Sequence, residues 1–162
     1  MKRILVLIAA MMLIEAPTFA KKNASATADV KARVIQGLSI TKNQDLDFGD
    51  IAQGSYYNID VSDAKAVKMT VSGEALENIT ITYDVPAVLT NDGSPSNTVA
   101  FNAYVKYNTV DNPVNATSFN TGSVEQLNST GYIYVYFGGN LTPGETQQTG
   151  NYSGEFTLNV EY

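Results

Sequence analysis

The side chains of this sequence that could do chemistry are carboxylates, because the chain contains no histidine and no cysteine. Asp45, Asp47 and Asp50 lie close together and could offer the oxygen ligands that calcium takes. Their spacing matches no known calcium loop, so the pattern favours a solvated strand edge. Asn91-Asp92-Gly93 is typical of a turn rather than of a metal site.

A pair of carboxylates for glycoside hydrolysis would need Glu155 and Glu161 to face each other. Six residues apart on one strand, they would be separated by about 20 Å, which is too far. No Gly-x-Ser-x-Gly nucleophile motif occurs. We therefore predict that the protein is not an enzyme and has no catalytic residues, no metal site and no cofactor.

Tyr132, Tyr134 and Tyr136 form a row on one face of a predicted strand. Such a row could stack on a sugar, but packing against neighbouring strands is the more ordinary role of aromatic side chains in a sheet. We expect packing.

The C-terminal run from Gly150 to Tyr162 has the clearest pattern in the chain. Apolar side chains or glycine alternate with polar ones, which predicts one long strand with an apolar ridge. At about 3.3 Å per residue it would span roughly 30 Å or more. Gly154 is a gap in the ridge, where another backbone or a large ring can come close. The ridge consists of Tyr152, Gly154, Phe156, Leu158, Val160 and Tyr162.

The middle of the chain shows short strands separated by turn residues, and no long stretch has helical periodicity. Leu46 and Phe48 are expected to face the core, with a bend at Gly49. Loops are expected at 91–95 and 112–122. Strands are predicted at 56–61, 66–72, 79–85, 99–107 and 132–137. The last is apolar on both faces and is therefore expected to be central in a sheet. Many short strands separated by turns predict a β-sandwich.

The N-terminus reads as a secretory leader. Lys2 and Arg3 precede an apolar run over 4–14, and Thr18 and Ala20 provide small residues for cleavage after Ala20. Removing Lys2, Arg3 and Glu15 changes 10 basic and 16 acidic residues to 8 and 15, a net charge of −7. We expect an exported protein without further membrane insertion. An acidic chain without a basic patch also argues against nucleic acid as a partner.

A second alternating segment follows the leader. Ala28, Val30, Ala32 and Val34 fall on one face of a predicted strand, and charged residues fall on the other. These signals divide the chain into a leader at 1–20, an N-terminal arm or first strand at 21–36, and a sandwich domain at 37–162.

Four short motifs carry a resemblance to known proteins. The alternating segment at 28–34, Leu46-Asp47-Phe48-Gly49, Gly138-Gly139-Asn140-Leu141 and the run from Gly150 to Phe156 together resemble a bacterial family of secreted, pilin-like domains of unknown function. The last run is also similar to the end of CS1-type chaperone–usher fimbrial major subunits. The resemblance implies an immunoglobulin-like sandwich lacking one strand, completed by an N-terminal extension from the next subunit. It also implies a periplasmic chaperone and an outer-membrane usher as partners.

The segment at 28–34 has two interpretations. It could complete the sandwich of a neighbouring copy by strand addition, in which backbone hydrogen bonds hold the strand and alternate side chains fill pockets. It could instead be the first strand of its own sandwich. Two functions follow: an exported structural subunit of a surface fibre that associates with itself, passing through the periplasm to the cell surface, or a monomeric secreted module that binds a glycan or protein.

Overall fold

The computed structural model describes residues 23–162. Its contacts divide the chain into two compact units, one ending at Arg33 and the other covering Val34–Tyr162. In the first unit, residues 23–33 belong to no strand or helix and are exposed. Lys31 Nζ lies 3.9 Å from Asp29 Oδ2 there. The predicted leader at 1–20 lies outside the described residues and stays a prediction.

The second unit contains two antiparallel sheets. The strands are β1 (Ser39–Lys42), β2 (Tyr57–Ile59), β3 (Val67–Ser72), β4 (Asn78–Asp84), β5 (Val88–Asn91), β6 (Ser94–Asn108), β7 (Thr117–Ser118), β8 (Ser123–Gln126), β9 (Tyr132–Leu141), β10 (Tyr152–Ser153) and β11 (Thr157–Glu161). In the larger sheet the strand order is β1-β3-β9-β6-β5-β10, with β2 also paired to β9 and β7 to β6. In the smaller sheet the order is β11-β4-β8. A single-turn 3-10 helix covers Pro113–Asn115.

β9 is the central strand of the larger sheet, as its apolar residues on both faces predict. It pairs with β3 from Val67 opposite Phe137 to Ser72 opposite Tyr132, and with β6 along its other edge. A side chain at Gly138 would come within 2.4 Å of the Ile59 carbonyl oxygen. Glycine there lets β2 follow β3 along the same edge of β9.

Two clusters of buried side chains form the core. The first combines Val71 and Ile133 of the larger sheet with Ile79 and Leu158 of the smaller one, so the two sheets pack face to face there. The prediction of an all-β sandwich is confirmed. Among the residues described, no helix is long and apolar enough to span a membrane.

The second cluster has no buried member from the smaller sheet. Its five buried side chains all come from β3, β6 and β9 of the larger sheet: Val67, Val99, Phe101, Phe137 and Leu141. The half-buried side chains packed on them include Leu46, Phe48 and Ile51, which confirms the predicted inward direction of the first two. Gly49, with φ +67°, makes the predicted bend.

Three expectations about local structure are wrong. The predicted strand at 28–34 is absent, and the first strand begins at Ser39; alternation alone does not make a strand when no neighbour supplies backbone hydrogen bonds. The predicted turn at Asn91-Asp92-Gly93 is confirmed, but the longer loop expected at 91–95 is only this turn, in a tight hairpin between β5 and β6. The 112–122 region carries a short helix and β7.

The expected single C-terminal strand is two short strands in different sheets. β10 pairs with β5, with Tyr152 opposite Asn91, whereas β11 pairs with β4, with Thr157 opposite Asp84. Their partner strands, β4 and β5, are also consecutive in the chain and also lie in different sheets. The chain passes from one to the other around Pro86, which has no N–H to donate to a ladder. The C-terminal run therefore crosses between the sheets at Gly154–Phe156.

Candidate functional site

The candidate site is a groove of about 1000 Å³ over the second core cluster, with an apolar floor and a lining that also contains polar and charged residues. Its floor is made by Val67, Met69, Phe101, Phe137 and Leu141. Two of these are aromatic, and the Phe101 and Phe137 rings meet edge to face at 6.0 Å between ring centroids. The groove exists because the three-stranded sheet does not cover this part of the larger sheet.

One wall of the groove is the segment from Leu46 to Ile51, which belongs to no strand. Phe48 meets the Phe101 ring edge to face at 6.1 Å. The Asp47 carboxylate accepts a hydrogen bond from the backbone N–H of Gly49 at 2.8 Å. Such a side-chain-to-backbone bond shapes a local turn instead of a ladder, so this wall is held by its inward side chains.

The opposite wall is the sheet crossing of the C-terminal run. Phe156 stacks on Phe137 with ring centroids 4.1 Å apart and planes within 3°. A side chain at Gly154 would come within 2.9 Å of Leu89 and 3.0 Å of Pro86. The predicted close approach at Gly154 is thus made by a proline ring and a leucine.

Two strand edges remain unpaired beside this groove among residues 23–162. β1 pairs only with β3, and its last residue, Lys42, lines the groove. β11 pairs only with β4, and it begins directly after Phe156. An unpaired edge presents backbone N–H and C=O groups in a row, which is a template for another strand.

The groove has an acidic rim. Asp45, Asp47, Asp50 and Glu155 are exposed and line the groove. Lys42 is the basic residue among them, and its amine contacts the Asp45 carboxylate. Within the described residues, no group of three or more acidic, histidine or cysteine side chains could hold a metal ion.

The residues predicted for the terminal ridge are divided between two places. Tyr152, Gly154 and Phe156 line the groove, whereas Leu158 and Val160 pack in the first cluster. The Tyr162 hydroxyl donates to the Gln36 carbonyl oxygen and accepts from the Glu74 N–H at 2.8 Å. The chain entering β1 is thereby tied to the end of β11.

The residues predicted for the arm stand outside every described strand. Ala28, Val30, Ala32 and Val34 are exposed, with 96 % of Val30 and 95 % of Val34 accessible to solvent. Sequence reasoning did not single out the floor residues Met69, Phe101 and Leu141 as site residues. Each looked like an ordinary core position, and Phe101 and Leu141 are indeed buried; only the open groove above them makes them site residues.

The tyrosine row lies on the outer face of the larger sheet, away from the groove. Tyr132 is 39 % exposed, and its ring is near-parallel to that of Tyr134. Tyr136 is buried, and its hydroxyl donates to Asp111 at 2.9 Å. Burial, with this hydrogen bond to Asp111, raises the pKa of Tyr136. A hydrogen bond from Lys68 lowers the pKa of Asp111. These contacts pin the 109–116 loop to the sheet.

One motif escaped the sequence analysis. Ser62 and Lys65 have the Ser-x-x-Lys spacing that some serine nucleophiles use. In the structure they lie in consecutive turns rather than on a helix. The Ser62 hydroxyl hydrogen-bonds the Asp60 carboxylate at 2.8 Å, and the Lys65 N–H is bound to Asp63. This arrangement is turn chemistry.

By its fold the protein is an all-β sandwich of two antiparallel sheets. The smaller sheet does not extend over the whole of the larger one, and the groove lies where it ends. The chain belongs to the family described as domain of unknown function DUF4402, whose model matches residues 38–162. The match covers the sandwich and begins after the segment at 28–34. No curated protein matches the chain.

Proposed function

We propose that this protein is an exported structural subunit of a bacterial surface fibre, assembled by β-strand addition. In this proposal, residues 28–34 of one copy enter the groove of another. The observation that carries it is the groove with an apolar floor beside two unpaired strand edges, in a chain that also exposes an alternating apolar segment.

The arm exposes apolar side chains, and the groove lies beside an unpaired strand edge. Val30 and Val34 expose nearly their whole side chains, and burying one valine is worth roughly 1.5–3 kcal/mol. Four of the five floor side chains are already buried, and Met69 is half-buried. An inserted strand would therefore cover Met69 and the half-buried side chains of the walls, among them Phe48 and Phe156. A strand lying along β11 would pair with the backbone groups of that unpaired edge. Its alternate side chains would lie against Met69 and the half-buried walls of the groove.

Export and assembly partners belong to the same proposal. The predicted leader would send the chain to the periplasm, and a periplasmic chaperone with an outer-membrane usher would carry it to the cell surface, as the resemblance implies. Mass spectrometry of the exported protein should find its N-terminus at or just after Lys21. Exported protein that retains Met1 to Ile14 would contradict this localisation.

Engineered disulfides test strand addition directly, since the chain has no cysteine of its own. One copy would carry a single cysteine at Val30, Ala32 or Val34, and a second copy a single cysteine at Met69 in the groove floor. Because bridged Cα atoms lie about 4.4–6.8 Å apart, at least one arm position should cross-link the two copies. Val114→Cys, on an exposed valine outside the groove, is the control for Met69→Cys.

The results separate the two interpretations of the arm. Covalent dimers between separate copies, above the Val114→Cys control, support strand addition. Cross-linking only when both cysteines are in one chain would mean that the arm completes its own sandwich. An absence of cross-links at all three arm positions would refute insertion of the arm into this groove.

The alternative function is a monomeric secreted binding module for a glycan or a protein. The near-parallel rings of the exposed Tyr132 and the half-buried Tyr134 favour it, because such rings can stack on a sugar. It predicts a monomer in size-exclusion chromatography and a rise in melting temperature with the ligand. Ladders of oligomers instead favour the fibre subunit.

A further inference from the structure

The arm and the rim of the groove carry opposite charges. The rim has four carboxylates and one amine, a net charge of −3 from Asp45, Asp47, Asp50, Glu155 and Lys42. Lys65 lies with Asp45 and Asp47 around a smaller neighbouring depression. Four of the eight basic residues that follow Ala20 lie within 21–33, although the chain as a whole is acidic. The arm is therefore the basic part of an acidic protein.

The charged residues of the arm would lie at the level of the rim. On an extended strand Lys31 and Arg33 point away from the face that holds Val30 and Val34. If that apolar face enters the groove, the two cations face outward along its edges. Lysine and arginine side chains are long enough to reach exposed carboxylates there while their stems lie on apolar surface.

The apolar row cannot by itself set the register of insertion. Ala28, Val30, Ala32 and Val34 alternate alanine and valine. After a shift of four residues, alanine therefore replaces alanine and valine replaces valine at the overlapping positions. A shift of two or four also keeps the same face in the groove. The charges break this repeat, because such a shift moves Asp29 to a position that Lys31 or Arg33 had occupied.

We infer that the acidic rim recognises the arm of a second copy and sets its register by pairing with Lys31 and Arg33. This rests on the proposed strand addition. Exposed ion pairs add little to final stability. Complementary charge acts mainly by speeding association and disfavouring wrong pairings, so the effect is expected in the rate of joining.

The test uses the full-length exported chain and the rate of cross-linking between Val30→Cys and Met69→Cys copies. Lys31→Glu in the arm copy should lower that rate about tenfold at low salt, and the difference should shrink at high salt because of screening. Lys106→Glu is the matched control: its neighbours Val105 and Tyr107 pack on the core, so Lys106 faces the outer side of the sheet.

The decisive comparison reverses the charges on both copies, so that they are complementary again. Asp50→Lys with Glu155→Lys in the groove copy should speed joining to the Lys31→Glu arm and slow joining to the unchanged arm. Asp47 is left intact because it caps Gly49. If cross-links form at equal rates in all charge combinations, the inference is wrong and strand addition stands. If the copies that carry only the two cysteines, without any charge reversal, form no cross-link, then strand addition is wrong and this inference is wrong with it.

Discussion

Replacing Phe156 by alanine tests how the C-terminal run is joined to the core. Phe156 is half-buried and contributes to both clusters, and its ring stacks on Phe137 at 4.1 Å. Truncating a buried phenylalanine costs about 3–5 kcal/mol. Because one side of Phe156 faces the open groove, we expect the lower end, about 3 kcal/mol.

Urea unfolding measures this loss of stability, and Thr157→Ala is the adjacent control. Thr157 is exposed on β11, so its truncation should cost less than ~1 kcal/mol. The measurement should use a Val30→Asp background, so that assembly does not add to the stability of the folded state.

A double-mutant cycle with Phe137→Ala isolates the ring contact. Stacked aromatic pairs contribute about 0.5–1.5 kcal/mol beyond their buried area, so the two truncations should cost less together than the sum of the single changes. Equal losses at Phe156 and Thr157, with additive effects of the two phenylalanines, would refute the described packing of the sheet crossing.

Three further predictions concern the arm, the central strand and the outer face. Val30→Asp should abolish assembly, since an unpaired buried carboxylate costs several kcal/mol. Val114→Asp, at an exposed valine, should leave assembly unchanged. Size-exclusion chromatography measures assembly, and assembly by both variants would contradict the role of Val30. Gly139→Ala should destabilise the fold by about 1–3 kcal/mol, because its Cβ would lie 2.5 Å from the Phe101 ring. Gly144→Ala meets nothing within 4 Å and should be nearly neutral in the same urea titration; equal costs would mean that β6 and β9 are not packed as described. Asp111→Asn should cost less than ~1 kcal/mol at neutral pH, since Asp111 is partly exposed and such ion pairs are weak. The pKa of Asp111 is lowered by Lys68 in the folded state, so its contribution is present above the unfolded pKa near 3.9 and is lost as pH falls through the folded pKa. Stability curves of the two proteins that stay equally far apart down to the lowest pH would show that Asp111 does not act through its charge.

Alternation along the chain was enough to predict the faces of most strands. Val67, Met69 and Val71 point to the core as their spacing indicated. The apolar character of both faces of β9 placed it in the middle of a sheet. These predictions succeed because side-chain direction in a strand depends only on position along the strand.

Strand partners and sheet membership depended on the tertiary structure. The run from Tyr152 to Tyr162 alternates without interruption, yet it changes sheet at Gly154 because its neighbour changes sheet at Pro86. The segment at 28–34 alternates equally well and forms no strand, because no described strand pairs with it. Alternation specifies a face, and a ladder needs a second backbone.

The sequence by itself determined an all-β chain with an apolar arm and no cysteine or histidine chemistry. The groove was decided by the tertiary structure alone. Met69, Phe101 and Phe137 lie on three different strands and meet only when β3, β9 and β6 pair. The groove above them stays open because the three-stranded sheet reaches the first cluster and not the second. Which apolar residues lie under an open groove depends on how far the facing sheet extends. That extent is set by the pairing of distant strands, so the local sequence pattern cannot predict it.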